Sequence, residues 1–159
     1  MSSSLSEADK TRLLEELREN VNKAEKSVVV EIDKSMIRRF AQAIEDPNPL
    51  WQDEEYAKQI GSGGILVPPE FFCTSMMSGG GCRPEVPLPY DRILDGGGDW
   101  EFLLPVKAGD TITSSAKLVE LREKQGKSGN MLFLTFETLH KNQHDELVAK
   151  SRGVTINLE

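Results

Sequence analysis

Met131-Leu132-Phe133-Leu134-Thr135-Phe136-Glu137-Thr138-Leu139-His140 is rich in aromatic and β-branched residues, with Leu132, Leu134 and Phe136 alternating on one side. A period of two marks a strand with one face buried. Turn-forming residues bound it on both sides, Gly126 to Asn130 before it and Asn142 to Glu146 after it. Beyond those turns lie two more strand candidates. Thr111–Glu123 precedes it, and Leu147–Asn157 follows with Val148, Val154, Ile156 and Leu158 as its apolar positions. Three consecutive strands joined by short turns form a meander. The alternation breaks at Leu118-Val119, which predicts a bulge or a strand covered on both faces. A fourth strand is expected near Asp99–Leu104, joined to the meander through Pro105 to Asp110.

Upstream, the composition changes. All eight prolines fall between Pro47 and Pro105, and nine of the thirteen glycines between Gly61 and Gly98. Ahead of this zone, Ser6 with Asp9 reads as a helix N-cap, and Leu13, Leu14, Leu17, Val21 and Ala24 recur at helical spacing. Ser27 to Ile32 reads as a short strand. Asp33 or Ser35 caps a second helix with Ile37, Phe40, Ala41 and Ile44 on one face, stopped by Pro47. Asp53-Glu54-Glu55 opens a short third helix through about Ile60. Pro68-Pro69 can start a further helix, Glu70 to Met77, whose near-lack of charge predicts burial. Gly79 to Gly98 is expected to be a long loop. Helices and a mostly antiparallel sheet of long C-terminal strands predict an α+β architecture.

The chain has 159 residues and a formal charge of −7, which argues against a binder of nucleic acid or of a bilayer surface. No apolar run is long enough to span a membrane. The first residues lack the basic and apolar regions of a secretory signal, and two cysteines make no disulfide framework. The expectation is a cytoplasmic protein with no metal and no cofactor. The predicted division is an N-terminal helix extension over 1–26 and a single domain over 27–159.

Phe40-Ala41-Gln42-Ala43-Ile44-Glu45-Asp46-Pro47-Asn48-Pro49-Leu50-Trp51, followed by Asp53 and Tyr56-Ala57, resembles the hydratase motif of the MaoC-like hot-dog family. Trp100-Glu101-Phe102, Pro105-Val106, Gly109-Asp110, Lys127-Ser128-Gly129 and Glu146-Leu147-Val148-Ala149 resemble the N-terminal-type, degenerate domain of the same superfamily. The resemblance implies a hot-dog fold, an antiparallel sheet wrapped around a central helix. It also implies action on acyl thioesters of coenzyme A or acyl carrier protein, with water added to or removed from a 2-enoyl chain. Such chemistry needs a water near the β-carbon, a carboxylate and an imidazole to move protons, and a backbone N–H facing the thioester oxygen.

By the same resemblance, the candidate catalytic residues are Asp46 and Asn48. The motif's histidine, however, is replaced by Trp51, whose indole N–H donates but cannot serve as a base. Pro68-Pro69 stands where a backbone donor is expected, and proline has none. The remaining histidines, His140 and His144, are expected at a strand end and a hairpin turn. The implied role is the noncatalytic half of a heteromeric enoyl-CoA hydratase, paired with a separate MaoC-like chain that carries the Asp–His pair. That half shapes the acyl pocket, for a bulky chain such as a steroid side chain. Trp51, Phe71, Phe72 and Met76 are the candidate substrate-binding wall. Two alternatives stand beside it: an acyl-CoA-binding or assembly subunit without chemistry, and a hot-dog thioesterase.

Overall fold

A computed structural model describes residues 5–23, 25–74, 83–126 and 129–159. Five antiparallel strands form one sheet: β1 (Glu25–Glu31), β2 (Arg92–Phe102), β3 (Thr111–Gly126), β4 (Gly129–Lys141) and β5 (Leu147–Leu158), in the order β1-β3-β4-β5-β2. The expected meander is therefore β3-β4-β5, and β1 and β2 are its outer neighbours. The break at Leu118-Val119 is a bulge, with the β3–β4 register shifting between Leu118 and Glu120.

One face of the sheet carries two apolar clusters. At one end Ile112, Val148 and Ala149 meet Ile37 of α2 (Lys34–Ala43) together with Phe71 and Phe72. At the other end Leu118, Leu132, Leu134 and Phe136 enclose Leu17 of α1 (Glu7–Asn20). The Ser6 hydroxyl caps α1 by accepting the Asp9 N–H. Asp33 caps α2 through the Ser35 N–H, which settles the choice between the two candidates. Asp53 caps α3 (Glu54–Gln59) in the same way.

Two expectations need correction. In place of a helix over 70–77 there is a short 3₁₀ helix, Pro69–Cys73, and Thr74 is already extended. Its entry residue Pro68 supplies no side-chain cap. At its exit both the backbone N–H and the hydroxyl of Thr74 donate to the Phe71 carbonyl, at 3.1 and 2.7 Å, a local closure that competes with α-helical bonding. Met76 and Met77 lie outside the described residues, as do Gly79 to Gly81. The expected loop to Gly98 also ends early, because β2 starts at Arg92 and the second Gly triplet lies within it. Gly97 has φ +82°, and the β2–β5 register shifts between Asp95 and Gly98. At Gly98 a Cβ would stand 2.6 Å from the Arg152 carbonyl oxygen, so the strands close up only because the position is bare.

Asn157 is buried on β5, where the apolar alternation predicts Ile156 and Leu158. Its amide acts as a stand-in for backbone. Nδ2 donates to the Tyr90 and Arg92 carbonyls at 2.7 and 3.0 Å, and Oδ1 accepts the Tyr90 N–H at 3.2 Å. This fixes the entry to β2.

Candidate functional site

The motif residues lie where α2 ends. Glu45 adopts φ +56°, its N–H donates to Gln42 O, and the Asp46 N–H reaches back to Ala41 O at 2.9 Å. That pair of bonds is a Schellman closure with glutamate in the left-handed position usually held by glycine. It aims the Asp46 carboxylate into the Pro47–Trp51 turn. Oδ1 accepts the Asn48 N–H at 3.0 Å and Oδ2 accepts the Trp51 indole N–H at 2.7 Å. The Gln52 side-chain amide donates to the Asp46 carbonyl at 3.0 Å.

Asn48 is committed to the same turn. Its Oδ1 accepts the Leu50 N–H at 3.0 Å and caps the 3₁₀ helix Pro49–Trp51. The structure therefore brings Asp46, Asn48 and Trp51 together, with both carboxylate oxygens engaged and the amide oxygen turned inward. An indole N–H held by a carboxylate fixes a ring; it cannot accept a proton.

Trp51 then forms part of a groove of about 270 Å³, lined also by Leu66, Pro69, Phe72, Phe102, Leu103 and Leu104. The lining is overwhelmingly apolar, as suits a hydrocarbon chain. The Val67 N–H at its base is taken by the Val106 carbonyl at 2.8 Å, and Pro68 and Pro69 have no N–H to offer. Of the expected wall, Trp51 and Phe72 line the groove. Phe71 does not; it is buried edge-on against Phe40, with centroids 5.4 Å apart. Met76 lies outside the described residues.

His140 lies at a strand end as expected, one residue before the end of β4, yet it is fully buried there and pairs in register with Ser114 of β3 and Ala149 of β5. Its Nδ1 lies 2.7 Å from Ser114 Oγ. Its ring stacks on Trp100 at 5.4 Å and meets Phe72 edge-on at 5.3 Å. Burial pushes the imidazole pKa down from 6.5 to about 4, so it is neutral at physiological pH. The sequence signal for it was available: a polar residue at an inward position of an alternating strand. His144, by contrast, is exposed at the β4–β5 turn, as expected.

Among the described residues, no helix is long and apolar enough to cross a membrane. Residues 21–151 match the family model described as "FAS1-like, dehydratase domain region". A UPF0336 protein of Thermobifida fusca is 33% identical over 99 residues, which cover 60% of this chain. The match spans 65% of that relative's length, just short of two thirds. The alpha subunit of 3-oxo-4,17-pregnadiene-20-carboxyl-CoA hydratase from Mycobacterium tuberculosis is 36% identical over 70 residues, 42% of this chain and 22% of that subunit. Among solved structures, the ChsH1–ChsH2 complex of Mycobacterium tuberculosis superposes with a TM-score of 0.71 at 22% identity, covering 96% of this chain and 93% of the matched one. That likeness establishes the hot-dog fold.

Proposed function

The chain belongs to the FAS1-like dehydratase-domain family, a hydratase and dehydratase group of MaoC-like hot-dog proteins, and on that premise we propose that it is the noncatalytic half of a heteromeric enoyl-CoA hydratase. The observation that carries the reading is the 2.7 Å bond from the Trp51 indole to Asp46 Oδ2. The carboxylate that would orient a histidine orients a ring that cannot take a proton from water.

Hydration of a 2-enoyl thioester delivers water oxygen to the β-carbon and a proton to the α-carbon, with charge gathering on the thioester oxygen. Each of those tasks needs a group this site lacks: an acid–base imidazole, and an N–H at the Pro68-Pro69 position. A separate MaoC-like chain supplies them. This chain supplies the wall, with Trp51 and Phe72 flanking the groove that takes the acyl group. A bulky acyl chain is favoured by the relative named as a subunit of a pregnadiene-carboxyl-CoA hydratase. That the superposed structure is a two-protein complex is in keeping with pairing.

The test is turnover by the purified chain alone with crotonyl-CoA and longer enoyl-CoAs. Loss of a positioned acid–base group typically lowers the rate about 10²–10⁴-fold, so the expected rate lies at least two orders of magnitude below that of the assembled enzyme. Ordinary enzymatic turnover by the lone chain overturns the proposal and returns Asp46 and Asn48 to catalytic roles. Release of free coenzyme A would instead mark a thioesterase.

A further inference from the structure

Among the described residues, His140 Nε2 is a buried side-chain nitrogen with no hydrogen-bond partner. Native interiors leave few such atoms, because the desolvation is not repaid. Packing alone does not explain a histidine here: its flanking rings, Trp100 and Phe72, would suit a leucine or phenylalanine as well. The other ring nitrogen is anchored, with Nδ1 2.7 Å from Ser114 Oγ, so the imidazole is held in one orientation.

Phe72 connects the His140 ring to the groove. It lines the groove on one side and lies against the His140 ring on the other. The contacts of its ring with Trp100, Phe102 and His140 are all aromatic, so no polar bond resists its rotation.

We propose that His140, oriented by Ser114, is a specificity residue that hydrogen-bonds an oxygen on the acyl chain, a hydroxyl or a ketone, where the chain reaches past Phe72. The proposal rests on the acyl-thioester reading above. The serine makes the site versatile. If the Ser114 hydroxyl donates to Nδ1, Nε2 carries the proton and donates to a carbonyl or hydroxyl oxygen. If Nδ1 donates to Ser114, Nε2 accepts from a hydroxyl. Both forms are neutral and suit an apolar enclosure. A plain hydrocarbon chain leaves the nitrogen orphaned, so the site discriminates between oxygenated and plain chains of equal length.

The test uses the full chain in the oligomeric form in which it purifies. The probes are decanoyl-CoA and a set of hydroxydecanoyl-CoAs with the hydroxyl moved along carbons 5 to 10. The expected result is that one hydroxyl position binds about tenfold more tightly than decanoyl-CoA, the scale of one neutral hydrogen bond. That preference falls to about unity in His140→Leu and is partly retained in His140→Gln, whose amide can still reach the oxygen. In parallel, ¹⁵N resonances of labelled histidine, assigned with a His144→Gln variant, should show Nε2 of His140 shifting on binding of the preferred probe only. Equal binding across the set, or an Nε2 already hydrogen-bonded in the free protein, overturns this proposal and leaves the acyl-thioester reading intact. Binding of no thioester by the chain, alone or co-expressed with a MaoC-like partner, overturns both.

Discussion

At the scale of a residue, His140 makes stability depend on pH. Its folded pKa of about 4 lies below the 6.5 of an exposed imidazole because burial disfavours the charge. Between those values the unfolded chain binds a proton that the folded chain refuses, so stability is full above about pH 6.5 and falls as the pH drops toward 4. The groups packed on the ring, Ser114, Phe72 and Trp100, are uncharged and offer no compensating carboxylate. The size of the effect, from about 2.5 pH units, is about 3 kcal/mol at its limit and about 2 kcal/mol by pH 5. Urea midpoints measured at pH 7 and pH 5 should therefore fall more for the native chain than for His140→Leu, although the variant starts from a lower value with Ser114 unpaired. Parallel pH dependence in the two chains would show that His140 is hydrated in the folded state. At the motif itself, chemistry and conformation part company. Asp46, Pro47, Asn48 and Pro49 keep the turn, while Trp51 sets on the Asp46 carboxylate an indole N–H that donates and cannot accept a proton.

At the scale of an element, β2 shows what glycine is for. A Cβ at Gly98 would meet the Arg152 carbonyl at 2.6 Å and Gly153 Cα at 3.0 Å, both backbone atoms held in the sheet. At Gly153 a Cβ would meet the end of the Arg83 side chain at 2.8 Å, which can swing aside. Gly98→Ala should thus lower stability by about 1–3 kcal/mol, and Gly153→Ala by clearly less, in matched urea titrations. Equal losses would mean that the β2–β5 pairing relaxes freely. The same strand marks the limit of what the sequence made legible. Ser6 with Asp9, the leucines of α1 and the slip at Leu118-Val119 announced their structures because local spacing alone determines them. The Gly96–Gly98 triplet reads locally as loop, and only its pairing with β5, where Gly98 meets Gly153, makes it strand. Likewise the apolar run after Pro69 carries no local sign that Thr74 closes its first turn. Asn157 and His140 were missed for one reason: each is a polar residue buried by its register and partnered by segments remote in sequence. At the candidate site the reverse held. Asp46, Asn48 and Trp51 lie within six residues, so their meeting was predictable, whereas the departure of Phe71 from the groove depends on how the 3₁₀ helix is turned against Phe40.

At the scale of the whole molecule, the sheet order leaves β1 and β2 with one edge each that is unpaired among the described residues. The two edges differ in what they expose. On β2, Ile93 is 57% and Leu94 54% exposed, and Phe102 at its end is 44% exposed beside Leu103 and Leu104. An unpaired strand with apolar residues along it is a template for association, and an apolar patch beside a binding groove is best covered by a neighbour. Under the proposed function that neighbour is the catalytic MaoC-like chain, its sheet continuing through β2 so that the groove and the partner's Asp–His pair share one substrate. The chain co-expressed with such a partner should therefore run in multi-angle light scattering as a heteromer at micromolar concentration. Lysines at Ile93 and Leu94 place charge along the edge, and the double variant should separate from the partner while keeping the native circular dichroism and urea midpoint, because both native side chains are already exposed. If the double variant still assembles, the interface lies elsewhere, on β1 or on the outward sheet face. If the native pair stays apart at that concentration, the heteromeric reading fails, and the wall formed by Trp51 and Phe72 must serve a chain that binds acyl thioesters by itself.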